Sequence, residues 1–217
     1  MHYDNAIGHL GGNLSCLDAL LVLQHEILKE DDFLILSKGH SAGALYVSLW
    51  SSGKIEEALL ETFHKDGTHL AAHPSSNWNK NIKFTTGSLG HGLPIANGIA
   101  LSNRFKKSKN FIFCLTSDGE WQEGSMWEAL IFACHHKLYN LVILIDKNGL
   151  QGFGSVEKVS SLHNIIEKLK NFDLDIKTVN GHNPKLIYDS IDLQNRDKPL
   201  LIILETIKGF GVKDIEN

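Results

Sequence analysis

The 217-residue sequence predicts an α/β fold, a doubly wound parallel sheet with helices on both faces, and three observations carry that expectation. Short apolar runs rich in strand formers recur at 33–36, 111–116, 141–146 and 200–205, with a weaker one at 176–179. Helix-period patterns fill the intervals between them. The runs at 33–36, 111–116 and 141–146 each give way at once to a polar turn containing glycine. Strands that alternate with helices build parallel βαβ units, and such sheets take their ligands at the carboxyl ends of the strands.

The first helix is expected over 13–28, where Leu14, Leu17, Leu20, Leu21, Leu23 and Leu28 recur at helical spacing before Lys29, Glu30, Asp31 and Asp32 close it. The run at 33–36 then delivers Ser37, Lys38, Gly39 and His40 to a strand end. A loop follows over 66–87, holding His69, His73 and Pro74; a long ordered loop is more often functional than decorative. A helix at 90–107 closes on Arg104, Lys106, Lys107 and Lys109, a cluster read as complementing the helix dipole and keeping the surface soluble. Helices are further expected at 123–137, 162–171 and 184–193. No repeat, low-complexity tract or long linker divides the chain, so residues 1–217 read as a single domain.

Hydrophobic residues make up 42% and charged residues 21%, ordinary globular usage that excludes a disordered or fibrous class. A formal net charge of −4 without a long basic run argues against nucleic acid or an anionic membrane as the main partner. Cys16, Cys114 and Cys134 form no CxxC and sit among apolar neighbours, as buried small hydrophobes in a reducing compartment do. The start lacks a signal-peptide pattern and no apolar run reaches membrane-spanning length, so the expected address is the cytoplasm.

The chemistry concentrates at two strand ends about thirty residues apart, the natural span of a crossover helix. One is Ser117-Asp118-Gly119-Glu120 and the other Asp146-Lys147-Asn148-Gly149-Leu150. Magnesium takes hard oxygen donors and commonly one or two side chains plus phosphate oxygens. Asp118 can supply a carboxylate, Asn148 an amide oxygen and Leu150 a carbonyl. Gly119 lets the backbone approach a diphosphate and adds an amide donor beside a helix start. Alone, an Asp-Gly after a strand is a common turn, so the weight rests on the pair of strand ends. Zinc at His69 and His73 is disfavoured by Pro74 and the lack of a cysteine or HExxH context. The Gly-x-x-Gly-x-Gly order from Gly87 misses the dinucleotide fingerprint.

Ser117-Asp118-Gly119 through Asn148 resembles the thiamine diphosphate fingerprint, with Ser117 where Gly is usual and Lys147 where Asn or Asp is. Around it, Glu120, Gln122-Glu123-Gly124, Trp127-Glu128-Ala129 and Leu138-x-Asn140-Leu141 are similar to the transketolase form of that motif. Gly8-His9-Leu10-Gly11-Gly12, Ser37-Lys38-Gly39-His40, Ala72-His73-Pro74, Thr86 to Gly92 and Lys208-Gly209-Phe210-Gly211-Val212 follow in the family's order.

The resemblance implies the amino-terminal, diphosphate-binding part of a transketolase, with thiamine diphosphate held through Mg2+ (or Ca2+ or Mn2+) on Asp118, Asn148 and Leu150. It implies that His40 contacts the diphosphate and that His9 and His73 approach the thiazolium and the substrate oxygens. Of the twelve histidines only these three rise above an ordinary structural role, each matching a family motif. Gly87 would offer its carbonyl to the aminopyrimidine, Leu89 would wedge beneath the rings, and Gly119 and Glu120 would complete the cofactor contacts. Glu123 would lie at a subunit interface, near the partner's catalytic glutamate, and with Glu128 form a proton link.

No part of the chain resembles the family's pyrimidine-binding domain. The resemblance thus implies a separate pyrimidine-binding subunit, an α2β2 assembly, and transfer of a two-carbon ketol unit between sugars or sugar phosphates. Relatives carry a helix before the His9 motif and a histidine-bearing loop after residues 208–212, so a pared-down or an incomplete subunit is expected. Other thiamine enzymes remain as alternatives, a 2-oxoacid dehydrogenase α subunit or a deoxyxylulose phosphate synthase, as does a non-catalytic relative.

Overall fold

The computed structural model describes residues 1–3, 5 and 7–217. Its sheet is built from β1 (Phe33–Leu36), β2 (Ile112–Ser117) and β3 (Leu141–Lys147), followed, after a hairpin of β4 (Leu150–Gln151) and β5 (Gly154–Ser155), by β6 (Asp175–Asn180) and β7 (Leu200–Glu205). The five long strands are all parallel in the order β1-β2-β3-β7-β6. The central strands β2, β3 and β7 are nearly continuous apolar runs because both of their faces are covered.

Alternation along the strands sorts the core into two layers. Phe113, Leu115, Val142, Leu144, Leu200 and Ile202 face one way, against residues of α1 (Leu10–Val22), α2 (Ala42–Ser51) and, past α3 (Glu57–Leu60) and later elements, α8 (Pro184–Ser190). Ile112, Cys114, Leu141, Ile143, Leu201 and Ile203 face the other, against α4 (Gly92–Phe105), α5 (Gly124–His135) and α7 (Ile165–Leu169), the last preceded by α6 (Val156–Ser160). Helices thus cover both faces, as a doubly wound sheet requires.

The first helix begins earlier than its leucine pattern, at Leu10, and ends in a widened π turn, Leu23–Ile27, where the Leu28 N–H reaches the Leu23 carbonyl at 2.9 Å. The apolar pattern at 162–171 yields only the short α7. The weak run at 176–179 is a genuine strand, half-exposed because it forms the sheet edge. Helix α2 has no counterpart in the sequence expectation. Seven of its ten residues are buried, so it lacks the polar face that makes a helix readable.

Residues 66–87 contain no helix or strand, yet the loop is pinned. Tyr46 donates its hydroxyl to the Ala71 carbonyl at 2.9 Å, and the Thr86 N–H donates to the Pro74 carbonyl at 3.2 Å. Among the described residues no helix is long and apolar enough to cross a membrane.

Candidate functional site

Strands β2 and β3 are paired through Ser117 and Asp146, so the two oxygen-bearing turns leave the sheet side by side. Asp118 is buried, and its carboxylate ties the turns together: Oδ1 accepts the Gly119 N–H at 2.7 Å and Oδ2 accepts the Gly149 N–H at 2.6 Å. Asn148 turns its Oδ1 to the Leu150 N–H at 3.0 Å, an Asx turn that presents Leu150 at the start of the β4–β5 hairpin. Its Nδ2 donates to Ser15 Oγ at 3.3 Å and Asp146 Oδ2 at 3.4 Å.

Burial raises the Asp118 carboxyl above its usual range, while the Gly149 and Gly119 N–H groups pull it back. A cation beside it would relieve that desolvation. One carboxylate, one amide oxygen and one carbonyl make the hard-oxygen set that Mg2+ accepts, and each Asp118 oxygen keeps a lone pair after its one N–H bond. Gly119 is closely packed as well: a Cβ there would come within 2.9 Å of Gln151 Oε1. The residues present fit a magnesium-bridged diphosphate. A site of three or more His, Cys, Asp or Glu ligands does not occur among the described residues.

Glu120 is fully buried, and its oxygens are engaged inside the protein. Oε1 accepts Ser37 Oγ at 2.5 Å and the Gly90 N–H at 2.9 Å; Oε2 accepts the Ser117 N–H at 3.2 Å. Burial raises this carboxyl too, against the pull of the Ser37 hydroxyl. The side chain joins the end of β1, the end of β2 and the entry to α4.

The three singled-out histidines converge. The His9 and His40 rings lie 5.3 Å apart between centroids, and His73 packs against Gly87, where a Cβ would sit 3.4 Å from its Cγ. Gly39 lies so near Gly87 that a Cβ on it would stand 3.0 Å from the Gly87 nitrogen, which is what brings the His40 turn against the 85–87 backbone. His40 is pushed down to about 3 by burial first, then by Lys38, His9 and His73. It is therefore neutral at physiological pH. His9 is lowered by burial and then by Lys208 and His73. Leu89 and Glu123 are exposed. Glu123 stands at Gly90, whose φ of +78° leaves no room for a side chain, since a Cβ would approach Glu123 Cβ to 2.8 Å. His69 goes elsewhere, stacking on Trp78 at 5.3 Å.

One functional element is absent from the sequence reading. Lys38 is 1% exposed and forms an ion pair with the fully buried Asp146. Lys38 also donates to the Gly12 carbonyl at 3.0 Å, and Asp146 accepts from Ser15 Oγ at 2.5 Å and from Thr206 Oγ1. Burial disfavours the Lys38 ammonium, but the Asp146 carboxylate and then Cys16 outweigh it, so the net shift is upward and the group stays charged. The pair binds together α1, the end of β1, the end of β3 and the segment after β7, four pieces of chain that carry His9, His40, Asn148 and Lys208. The available signal was a lysine directly after an apolar strand, where an unpaired charge is too costly to bury. Lys208 lies over the same end, its Nζ 3.4 Å from the Gln151 carbonyl. His182 braces that segment by bonding Asp18 at 2.9 Å, accepting the Ile207 N–H at 2.8 Å and stacking on Phe210.

A family model described as transketolase, thiamine diphosphate binding domain, matches residues 7–217. An apulose-4-phosphate transketolase subunit from Actinobacillus succinogenes is 36% identical over 96% of this chain and 79% of its own length. A 6-deoxy-6-sulfo-D-fructose transketolase subunit from a Clostridium species is 35% identical over 94% of this chain and 78% of its own length. The solved transketolase of Campylobacter jejuni superposes with a TM-score of 0.82 at 24% identity, a likeness of fold, and the chain spans only 38% of its length. With the family model covering nearly every residue and two such relatives matched over most of their length, the chain belongs to the transketolase family as its thiamine diphosphate-binding domain.

Proposed function

We propose that this chain is the diphosphate-binding subunit of a two-chain transketolase and that, with a pyrimidine-binding partner, it transfers a two-carbon ketol unit from a ketose to an aldose. The observation that carries the proposal is the 2.6 Å bond from the Gly149 N–H to Asp118, which locks both oxygen-bearing turns into one cradle beside three converging histidines. The relatives named as transketolase subunits support a separate partner, and their names point to phosphorylated or sulfonated sugars as the substrate class.

Bound there, thiamine diphosphate supplies the electron sink for breaking a C–C bond next to a carbonyl. Asp118, Asn148 and the Leu150 carbonyl would hold Mg2+, and Gly119, whose N–H is taken by Asp118, would let the turn lie close to the diphosphate. Neutral His40 can donate from one ring nitrogen to a diphosphate oxygen without adding charge to the site. His9 and His73, both exposed next to it, are placed to bind substrate hydroxyls and to move protons to and from the substrate oxygens. Gly87 would offer its carbonyl to the aminopyrimidine, and Leu89 would support the rings. Glu120 acts indirectly, fixing Gly90 and Ser37. Glu123, exposed at the rim, meets the partner's catalytic glutamate across the interface, and two such pairs make an α2β2 assembly.

Mixing the chain with a pyrimidine-binding transketolase subunit, Mg2+, thiamine diphosphate, a ketose phosphate and an aldose tests this directly. Two-carbon transfer, followed by product mass, is expected only with both chains present and falls by about a hundredfold or more in Asp118→Ala. Cofactor binding without transfer to any aldose acceptor would identify a non-catalytic relative instead.

A further inference from the structure

We propose that the opposite, amino-terminal end of the sheet carries a second ligand site, which takes a small molecule bearing a phosphate group. A cavity of about 490 Å3 opens there, within the size range of small-molecule sites. Arg104, Lys107, Lys109 and Arg196 line it from the end of α4, the turn before β2 and the turn before β7, and no carboxylate lines it. The Tyr139 ring forms part of its wall, with the Arg104 guanidinium 5.3 Å from the ring centroid. Phe111, which borders it, is seven residues from Asp118 along β2, roughly 23 Å at strand spacing, so the cavity is separate from the diphosphate cradle.

The basic cluster stands at the end of α4 as the dipole reading expects, with Arg104 in the last turn, and it also reaches beyond that helix. Arg104 donates to the carbonyls of His136, at the end of α5, and Lys137 beyond it, rather than to its own helix. Lys107 and Lys109 are exposed, and their ammonium groups have no hydrogen bond or ion pair among the described residues. Arg196 is anchored, its side chain 5% exposed and Nη2 bonded to Asp175 at 2.9 Å, while its Nε has no partner among the described residues.

The site therefore combines fixed guanidinium groups and two exposed ammonium groups around a cavity that no carboxylate lines among the described residues. Like-signed side chains in a cleft concentrate an ion of the other sign. Phosphate answers that need best, since its oxygens accept several charge-assisted hydrogen bonds at once. Asp175, the carboxylate nearest Arg196, already serves Arg196 and Lys198 and does not neutralise the lysines.

The test is a titration of the 15N-labelled chain with inorganic phosphate, ionic strength held constant with chloride, followed by amide chemical shifts. Saturating shifts are expected at residues 107–111 and 195–196. Lys107→Ala/Lys109→Ala should raise the half-saturating concentration by about tenfold or more. Both lysines are exposed, so the variant's fold is checked by its unchanged spectrum elsewhere. Asp118→Ala should leave the titration as it is. Absence of saturation, shifts centred on 118–119 and 148–150, or an unaltered half-saturation in the lysine variant would each overturn the proposal.

Discussion

Lys38 and Asp146 show what single residues contribute beneath the cofactor site. Removing one partner of a buried pair strands the other charge, so Lys38→Met should lower stability by about 3–5 kcal/mol in urea unfolding. Lys38→Met/Asp146→Leu should regain part of that loss, because neither charge is then stranded, while the Ser15 and Thr206 hydroxyls still lose their acceptor. His40 gives a pH signature. Its folded-state value of about 3 lies below the ordinary 6.5, so its contribution is fully present above pH 6.5 and is lost as pH falls toward 3. The loss should reach about 3 kcal/mol by pH 4, and His40→Asn should show a correspondingly shallower decline in urea midpoint over that window. The family resemblance singled out His9, His40, His73, Asp118 and Asn148, and the fold brings the three histidines together and sets Asp118 and Asn148 on adjacent turns. The Lys38–Asp146 pair was not legible, because its partners lie 108 residues apart and neither sits in a pattern that names the other.

At the scale of elements, strands were the easiest to read. The runs at 33–36 and 200–205 coincide with β1 and β7, since a strand covered on both faces is written as an unbroken apolar run. The same completeness of burial hid α2, whose Ala, Gly, Leu and Tyr residues offer no polar stripe to mark a period. Close approach between elements is equally invisible until the chain folds. A Cβ on Gly92 would collide with the Ser37 side chain and fall 2.8 Å from Ser37 Cα, so α4 starts directly on the end of β1. Because backbone as well as side chain must move, Gly92→Ala should cost about 1–3 kcal/mol in thermal or urea unfolding. It should also displace Ser37 from Glu120, whose bonds to Ser37 and Gly90 join the same elements.

For the whole molecule, the parallel sheet separates two chemistries by the length of a strand. Its carboxyl end gathers oxygen-bearing side chains and histidines from the ends of β1, β2 and β3 and the start of α1, while its amino end holds the cationic cavity. Glu123 and Leu89 stand exposed. The central claim, that Asp118 and the Asn148–Leu150 turn hold magnesium-bound thiamine diphosphate, is tested most directly by calorimetry with Mg2+ and a pyrimidine-binding subunit present. The account predicts saturable binding of one cofactor per chain that weakens by about a hundredfold or more in both Asp118→Ala and Asn148→Ala. Binding that is absent from the unaltered chain, or undiminished in both variants, would contradict it.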